Sequence, residues 1–134
     1  MKHIVYTPGV WDILHVGHLN LVRRASLCGD HLIVGVCSDQ LVSLHKGSPP
    51  TMNEHERATI IGALRDVDEV YIYDNPNQSD ALAMFVANTF VIGEQFGSQG
   101  VSEHQLALSY CLDQGIAVVR VPRYPNVSSS EYKT

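Results

Sequence analysis

Apolar residues in this chain fall into short continuous runs, separated by segments where they recur every three or four positions. HIVYTP at 3–8 reads as a first strand, HLIVGVCS at 31–38 as a second, and VDEVYIYD at 67–74 as a third. TFVIGE at 89–94 and IAVVRVP at 116–122 read as the fourth and fifth. The intervening segments have helical spacing. Residues 18–29 put Leu19, Val22, Ala25 and Leu27 near one face, with Gly29 as the expected C-cap. Asn53 is the expected N-cap of a helix over 54–66, Ser79 that of a helix over 79–88, and a helix over 101–115 should end at Gly115. DQLVSLH is a short segment of its own, followed by a loop, KGSPPTMN, rich in Gly, Pro and Ser.

Strands that are apolar on both faces and alternate with helices through short connections belong to a parallel sheet covered on both sides. The expected fold is therefore α/β: a doubly wound, five-stranded parallel sheet with helices on both faces. In such sheets a ligand sits beyond the carboxyl ends of the strands, where the strand order reverses. No repeat, low-complexity tract or linker divides residues 1–134, so a single domain is expected. The last residues, NVSSSEYKT, stop where the serines could begin another helix, which fits a domain excised from a longer chain.

Composition narrows the function classes. The 134 residues carry a net charge of −5, with 45% hydrophobic and 17% charged residues. An acidic chain does not hold nucleic acid or an anionic membrane by broad electrostatics. An anion must instead be gripped locally. No apolar run approaches the roughly 18 residues of a membrane span, and MKHIVYTPG reads as strand, not as a leader, so the cytoplasm is the expected location. Cys28, Cys37 and Cys111 have neither zinc nor disulfide spacing and read as reduced thiols.

The candidate chemistry lies in HVGH, residues 15–18. A zinc pair on a helix usually stands four apart with an acid nearby, and here the spacing is three with Val and Gly between. No G-x-S-x-G, and no Cys placed beside a His, offers a nucleophile. The position fits an anion better. HVGH falls at the first strand-to-helix turn, where free N–H groups and the helix dipole favour phosphate. Gly9 and Gly17 would let backbone approach a ligand, and His15 and His18 would face the same side of the first turn. On HVGH alone, a structural pair and a phosphate-binding pair remain equally open.

The surrounding residues add a resemblance. GVWDILHVGH resembles the G-x-F-D-x-x-H-x-G-H motif of the cytidylyltransferase-like nucleotidyltransferases. KGSPPTMNEHER resembles their K-G-x-x-P-x-x-x-x-x-E-R stretch, and GALRDVDEV its continuation. VIGEQ stands where the family has a strand and G-D-D, and PRYPNVSSS resembles R-T-E-G-I/V-S-T/S-T/S. Glycerol-3-phosphate and ethanolamine-phosphate cytidylyltransferases are the nearest look-alikes, and the heptose-phosphate adenylyltransferase domains are similar too. The resemblance implies a dimeric, Rossmann-like fold. It also implies transfer of CMP from CTP, with Mg²⁺, to a small phosphorylated acceptor whose phosphate attacks the α-phosphorus in line and releases pyrophosphate.

The resemblance also implies roles. His15, His18, Lys46 and Arg123 become candidate catalytic residues, with Lys46 carried on the Gly/Pro loop. Gly9, Val10, Trp11, Gly17, Gly93, Glu94, Ser128, Ser129 and Ser130 become candidate nucleotide-binding residues. Arg57 and Arg65, eight apart and on one face of one helix, are candidates for phosphate, and Asp12 for the turn or for water-mediated Mg²⁺. Val10 stands in place of the Thr of the glycerol-phosphate enzymes, Trp11 in place of Phe, Glu94 in place of Asp, and RYPN in place of R-T-E-G. These departures keep nucleotidyl transfer and open the acceptor to a phosphonate or another small phosphorylated alcohol. The alternatives are an adenylyltransferase acting on a sugar phosphate, FMN or pantetheine phosphate, and a nucleotide-binding module without catalysis. A dinucleotide oxidoreductase lacks its G-x-G-x-x-G here.

Overall fold

A computed structural model describes residues 2–98 and 100–124. Its elements are β1 (Ile4–Gly9), α1 (Val16–Ser26), β2 (His31–Cys37), α2 (Asp39–Lys46), α3 (Glu54–Gly62), β3 (Glu69–Tyr73), α4 (Ser79–Met84), β4 (Thr89–Gly93), α5 (Ser102–Gln114) and β5 (Ala117–Val121). The strands form one sheet in the order β3-β2-β1-β4-β5, and every pairing is parallel. The fold is Rossmann-like, and its strand order reverses between β1 and β4.

Alternation along β1 and β2 divides the core between the faces. Val5, Leu32, Val34 and Val36 pack with Val22 and Ala25 of α1 and Ile61 of α3. Tyr6 and Ile33 pack on the other side with Ala81 and Leu82 of α4 and Ala107 and Cys111 of α5. Helices cover both faces, as the apolar strands predict.

Several boundaries depart from expectation, each for a local reason. Residues 39–46 form a full helix, α2: Ser38 Oγ accepts from the Leu41 N–H at one end, and Gly47 closes the other at φ 77°. Helix α1 ends at Ser26, before Gly29. Gly29 serves another purpose, since a Cβ there would lie 2.6 Å from the His3 carbonyl oxygen. Ser79 is the first residue of α4 and does not cap it; Gln78 holds the cap position without a capping bond from its side chain. Helix α3 ends at Gly62, so Arg65 lies beyond it and does not share its face with Arg57. Asn53 and Gly115 cap α3 and α5 as the sequence indicates. Among the described residues, no helix is long and apolar enough to cross a membrane.

Candidate active site

The connection from β1 to α1 is a tight, partly strained turn. Trp11 and Ile13 have φ of 58° and 53°. For residues with a side chain such geometry costs of order 1–3 kcal/mol each and persists only where surroundings enforce it. Trp11 is enforced from several directions. Its ring is buried, its Nε1–H donates to the Gly35 carbonyl at 2.8 Å, and its edge meets His18 with ring centres 5.6 Å apart. The Asp12 carboxylate accepts N–H bonds from Thr51 at 2.8 Å and Met52 at 3.0 Å. The turn is thereby tied to the loop before α3.

Arg57 is the second tie. It is fully buried, and its guanidinium donates to the carbonyls of Met52, Val10 and Cys37 and to Asp39 Oδ1, at 2.7–2.8 Å. The expectation that Arg57 grips phosphate is corrected: its donors are spent on the protein's own backbone, and it braces the turn from behind. Arg65 has no place beside it.

The two histidines hold each other. His15 is the N-cap of α1, and its Nδ1 accepts the Gly17 N–H at 3.0 Å. His18 Nδ1 in turn accepts the His15 N–H at 3.2 Å. The rings stack with centres 3.9 Å apart. This is a capping box built from imidazoles in place of the usual hydroxyl and carboxylate. It has a chemical consequence. With Nδ1 of each ring accepting, the neutral tautomer of each ring carries its proton on Nε2. Burial, and then the neighbouring His15, push the His18 pKa down to about 4, against an opposing pull from Asp12. His18 is therefore neutral at pH 7, a hydrogen-bond donor rather than a resident cation.

The glycines of the motif also prove to serve the rings. A Cβ on Gly17 would lie 2.7 Å from His15 Cε1, and one on Gly9 would lie 2.8 Å from Trp11 Cε2. At these two Cβ positions the space is taken by His15 and Trp11, while Gly9 still lines a hollow. The same Gly17 position is 3.6 Å from Tyr124 Cβ, so the chain leaving β5 passes beside the start of α1. Arg123, exposed and adjacent, is brought toward the HVGH turn by that route.

Two hollows open at this edge of the sheet. The first, about 230 Å³, is lined by Gly9, Val10, Trp11, Asp12, His18 and Lys46, among others. The second, about 380 Å³, shares Val10 and Lys46 and extends between α2, the end of β3 and the start of α5. Lys46 is exposed where the two meet. It ends α2 and is not carried on the Gly/Pro loop, so a helix cap aims it. Gly93, the last residue of β4, and Glu94 just past it are exposed. The segment after them is braced by Arg120, which donates to the Phe96 carbonyl at 2.6 Å. Ser128, Ser129 and Ser130 lie outside the described residues.

The sequence reading missed His45, Gln78 and His104, which line the second hollow. No motif marks them, because they stand on three separate elements. The described residues contain no cluster of three or more His, Cys, Asp or Glu suited to a metal.

The sequence model of the cytidylyltransferase-like family matches residues 6–134. The chain belongs to that family. Among its relatives is the bifunctional protein HldE of Pelobacter propionicus, 34% identical over 110 residues, covering 81% of this chain and 22% of that protein. The ethanolamine-phosphate cytidylyltransferase of Arabidopsis thaliana is 47% identical over 70 residues, covering 52% of this chain and 17% of that protein. The chain thus spans about a fifth of the length of these curated relatives. Among solved structures, a lipopolysaccharide core biosynthesis protein from Thermoplasma volcanium superposes with a TM-score of 0.75 at 25% identity, covering 92% of this chain and 99% of that one. As a cytidylyltransferase-like domain, the chain has its HVGH turn at the strand-order reversal, where this architecture places ligands.

Proposed function

We propose that this domain transfers CMP from CTP to a small phosphorylated or phosphonate acceptor, releasing pyrophosphate. The observation that carries the proposal is the reciprocal histidine cap. It fixes two imidazoles as Nε2–H tautomers, and His18 and Lys46 line the same hollow. Membership of the family supports nucleotidyl transfer, and the 47% identity to an ethanolamine-phosphate cytidylyltransferase supports cytidine as the base.

The chemistry asks for positioning and charge dispersal more than for a covalent catalyst. An oxygen of the acceptor phosphate attacks the α-phosphorus; the bond to the β-phosphate oxygen breaks opposite it, and pyrophosphate leaves with that electron pair. His15 and His18 donate to the α-phosphate oxygens as charge builds there, from positions fixed before the substrate arrives. Lys46 places a compact positive charge against the triphosphate. Arg123 would bracket the nucleotide, and Ser128–Ser130 would offer hydroxyls and N–H groups to its phosphates. Mg²⁺, bound through the nucleotide phosphates, would supply charge neutralisation. The protein would work as a homodimer in the cytoplasm.

The test is pyrophosphate release with Mg²⁺, crossing CTP, ATP, GTP and UTP with a panel of phosphorylated and phosphonate acceptors. Turnover with CTP that is lost in His18→Ala supports the proposal. Turnover with ATP alone replaces it with adenylyl transfer. Nucleotide binding without turnover of any acceptor replaces it with a binding module.

A further inference from the structure

The second hollow has a distinctive polar lining. Gln78 is buried, and its side-chain oxygen accepts from the Tyr6 hydroxyl at 2.7 Å. That bond commits the oxygen and leaves the amide N–H pair to the hollow it lines. His104 stacks on Phe96 with ring centres 3.9 Å apart, and its Nδ1 accepts the Gly97 N–H at 3.1 Å. The neutral ring therefore carries its hydrogen on Nε2, as His15 and His18 do. Burial lowers the His104 pKa, which favours the neutral ring over the charged one. Lys46 adds a cation at the mouth, beside His45. The remaining lining is mostly apolar: Val10, Cys37, Leu41, Val42, Pro76 and Val101, with the buried Tyr73 beside them. Among the described residues that line the hollow there is no Asp or Glu.

We propose that this hollow holds the end of the acceptor remote from its attacking phosphate. On this proposal Gln78 and His104 select acceptors whose far end carries oxygen atoms able to accept hydrogen bonds, hydroxyl or carboxylate, over acceptors that end in an ammonium group. The inference rests on the transferase reading above and adds to it a substrate class and two specificity-determining residues. Physically, each donor left facing an ammonium would lose its water without gaining a partner, and Lys46 would repel the charge. A site built to hydrogen-bond an oxygen discriminates strongly against a ligand that cannot return the bond.

The experiment compares glycerol 3-phosphate and 3-phosphoglycerate with phosphoethanolamine and phosphocholine. For each, CTP-dependent pyrophosphate release is measured, and binding is measured by calorimetry with Mg²⁺ and CTP on the same protein. At least one oxygen-ended acceptor should exceed both ammonium-ended ones by about 100-fold in kcat/KM, a conservative share of what hydrogen-bonding sites achieve. The two oxygen-ended compounds separate hydroxyl from carboxylate recognition. His104→Glu puts a carboxylate in the hollow. It should raise KM for the oxygen-ended acceptor about tenfold or more and improve phosphoethanolamine, with KM for CTP unchanged. His104→Gln should recover part of the original preference, and a urea midpoint close to that of the parent shows that the variants fold.

Equal or better use of phosphoethanolamine or phosphocholine by the parent would overturn the inference and leave the transferase standing. An equal rise of KM for CTP and acceptor in His104→Glu would overturn the role of His104. If no acceptor turns over, the transferase reading fails. The calorimetric ranking then still decides the hollow's preference, and failure of both oxygen-ended compounds to bind overturns it.

Discussion

The HVGH turn, with the hollow that His18 lines, and the second hollow share Lys46 between their linings, yet they are built in opposite ways. The turn is a contiguous segment whose polar atoms are largely engaged within the protein. His15 and His18 cap one another, Trp11 bonds to β2, Asp12 bonds to the loop before α3, and Arg57 holds the Val10 carbonyl from behind. The hollow is assembled from side chains far apart in sequence, and it leaves donors on Gln78 and His104 unspent. The difference fits a division of labour. Groups that stabilise a transition state gain from being fixed beforehand. Groups that choose a substrate must keep bonding capacity for it.

The comparison can be broken first at Arg57. Replacing it with Ala leaves three backbone carbonyls and Asp39 without their donor, and should cost about 3–5 kcal/mol of stability, read as a lowered urea midpoint. A loss below about 1 kcal/mol would show that the turn does not depend on its brace. Next is His18→Ala. Loss of one preorganised donor should reduce kcat about 10²–10³-fold, with only about 1–2 kcal/mol of stability lost with its half of the capping box. A matching fall in both would make His18 structural.

His15→Asn sharpens the contrast further. Asn is a good N-cap, so the helix should keep most of the roughly 1 kcal/mol that a cap provides. Turnover should still fall, because the amide cannot put a donor where the imidazole Nε2–H stands. Full activity in this variant would mean that His15 acts only as a cap.

A further effect, read on stability alone, is its dependence on pH. The His18 pKa is lowered from its ordinary 6.5 to about 4 by burial first, then by His15. The folded state therefore binds fewer protons than the unfolded state between these values. This contribution is complete above pH 6.5 and is lost as pH falls toward 4. Urea midpoints of the parent and of His18→Gln should converge over that window, and parallel curves would refute the assignment.

Part of this was legible in the sequence. The alternation of apolar runs with helical spacing predicts the sheet and its two layers, and Asn53 and Gly115 cap their helices as expected. Helix α2 was not legible, because a short segment without strong periodicity is settled by its caps, Ser38 and Gly47. The pair of arginines was misread for a related reason: eight residues suggest a shared face only while the helix continues, and α3 stops at Gly62.

The sequence by itself determined the fold class and the family, whose motifs it carries. Strands apolar on both faces must be covered on both faces, and HVGH carries cap, donors and spacing within one turn of helix. Only the tertiary structure decided which cation faces the hollows and which is locked away. Lys46 and Arg57 are alike in charge, but Arg57 bonds to Val10, 47 residues away, and Lys46 stands exposed at the end of α2. The same holds for Gln78 and His104. Whether a polar atom is spent or free depends on contacts across the chain, and no local pattern carries that information.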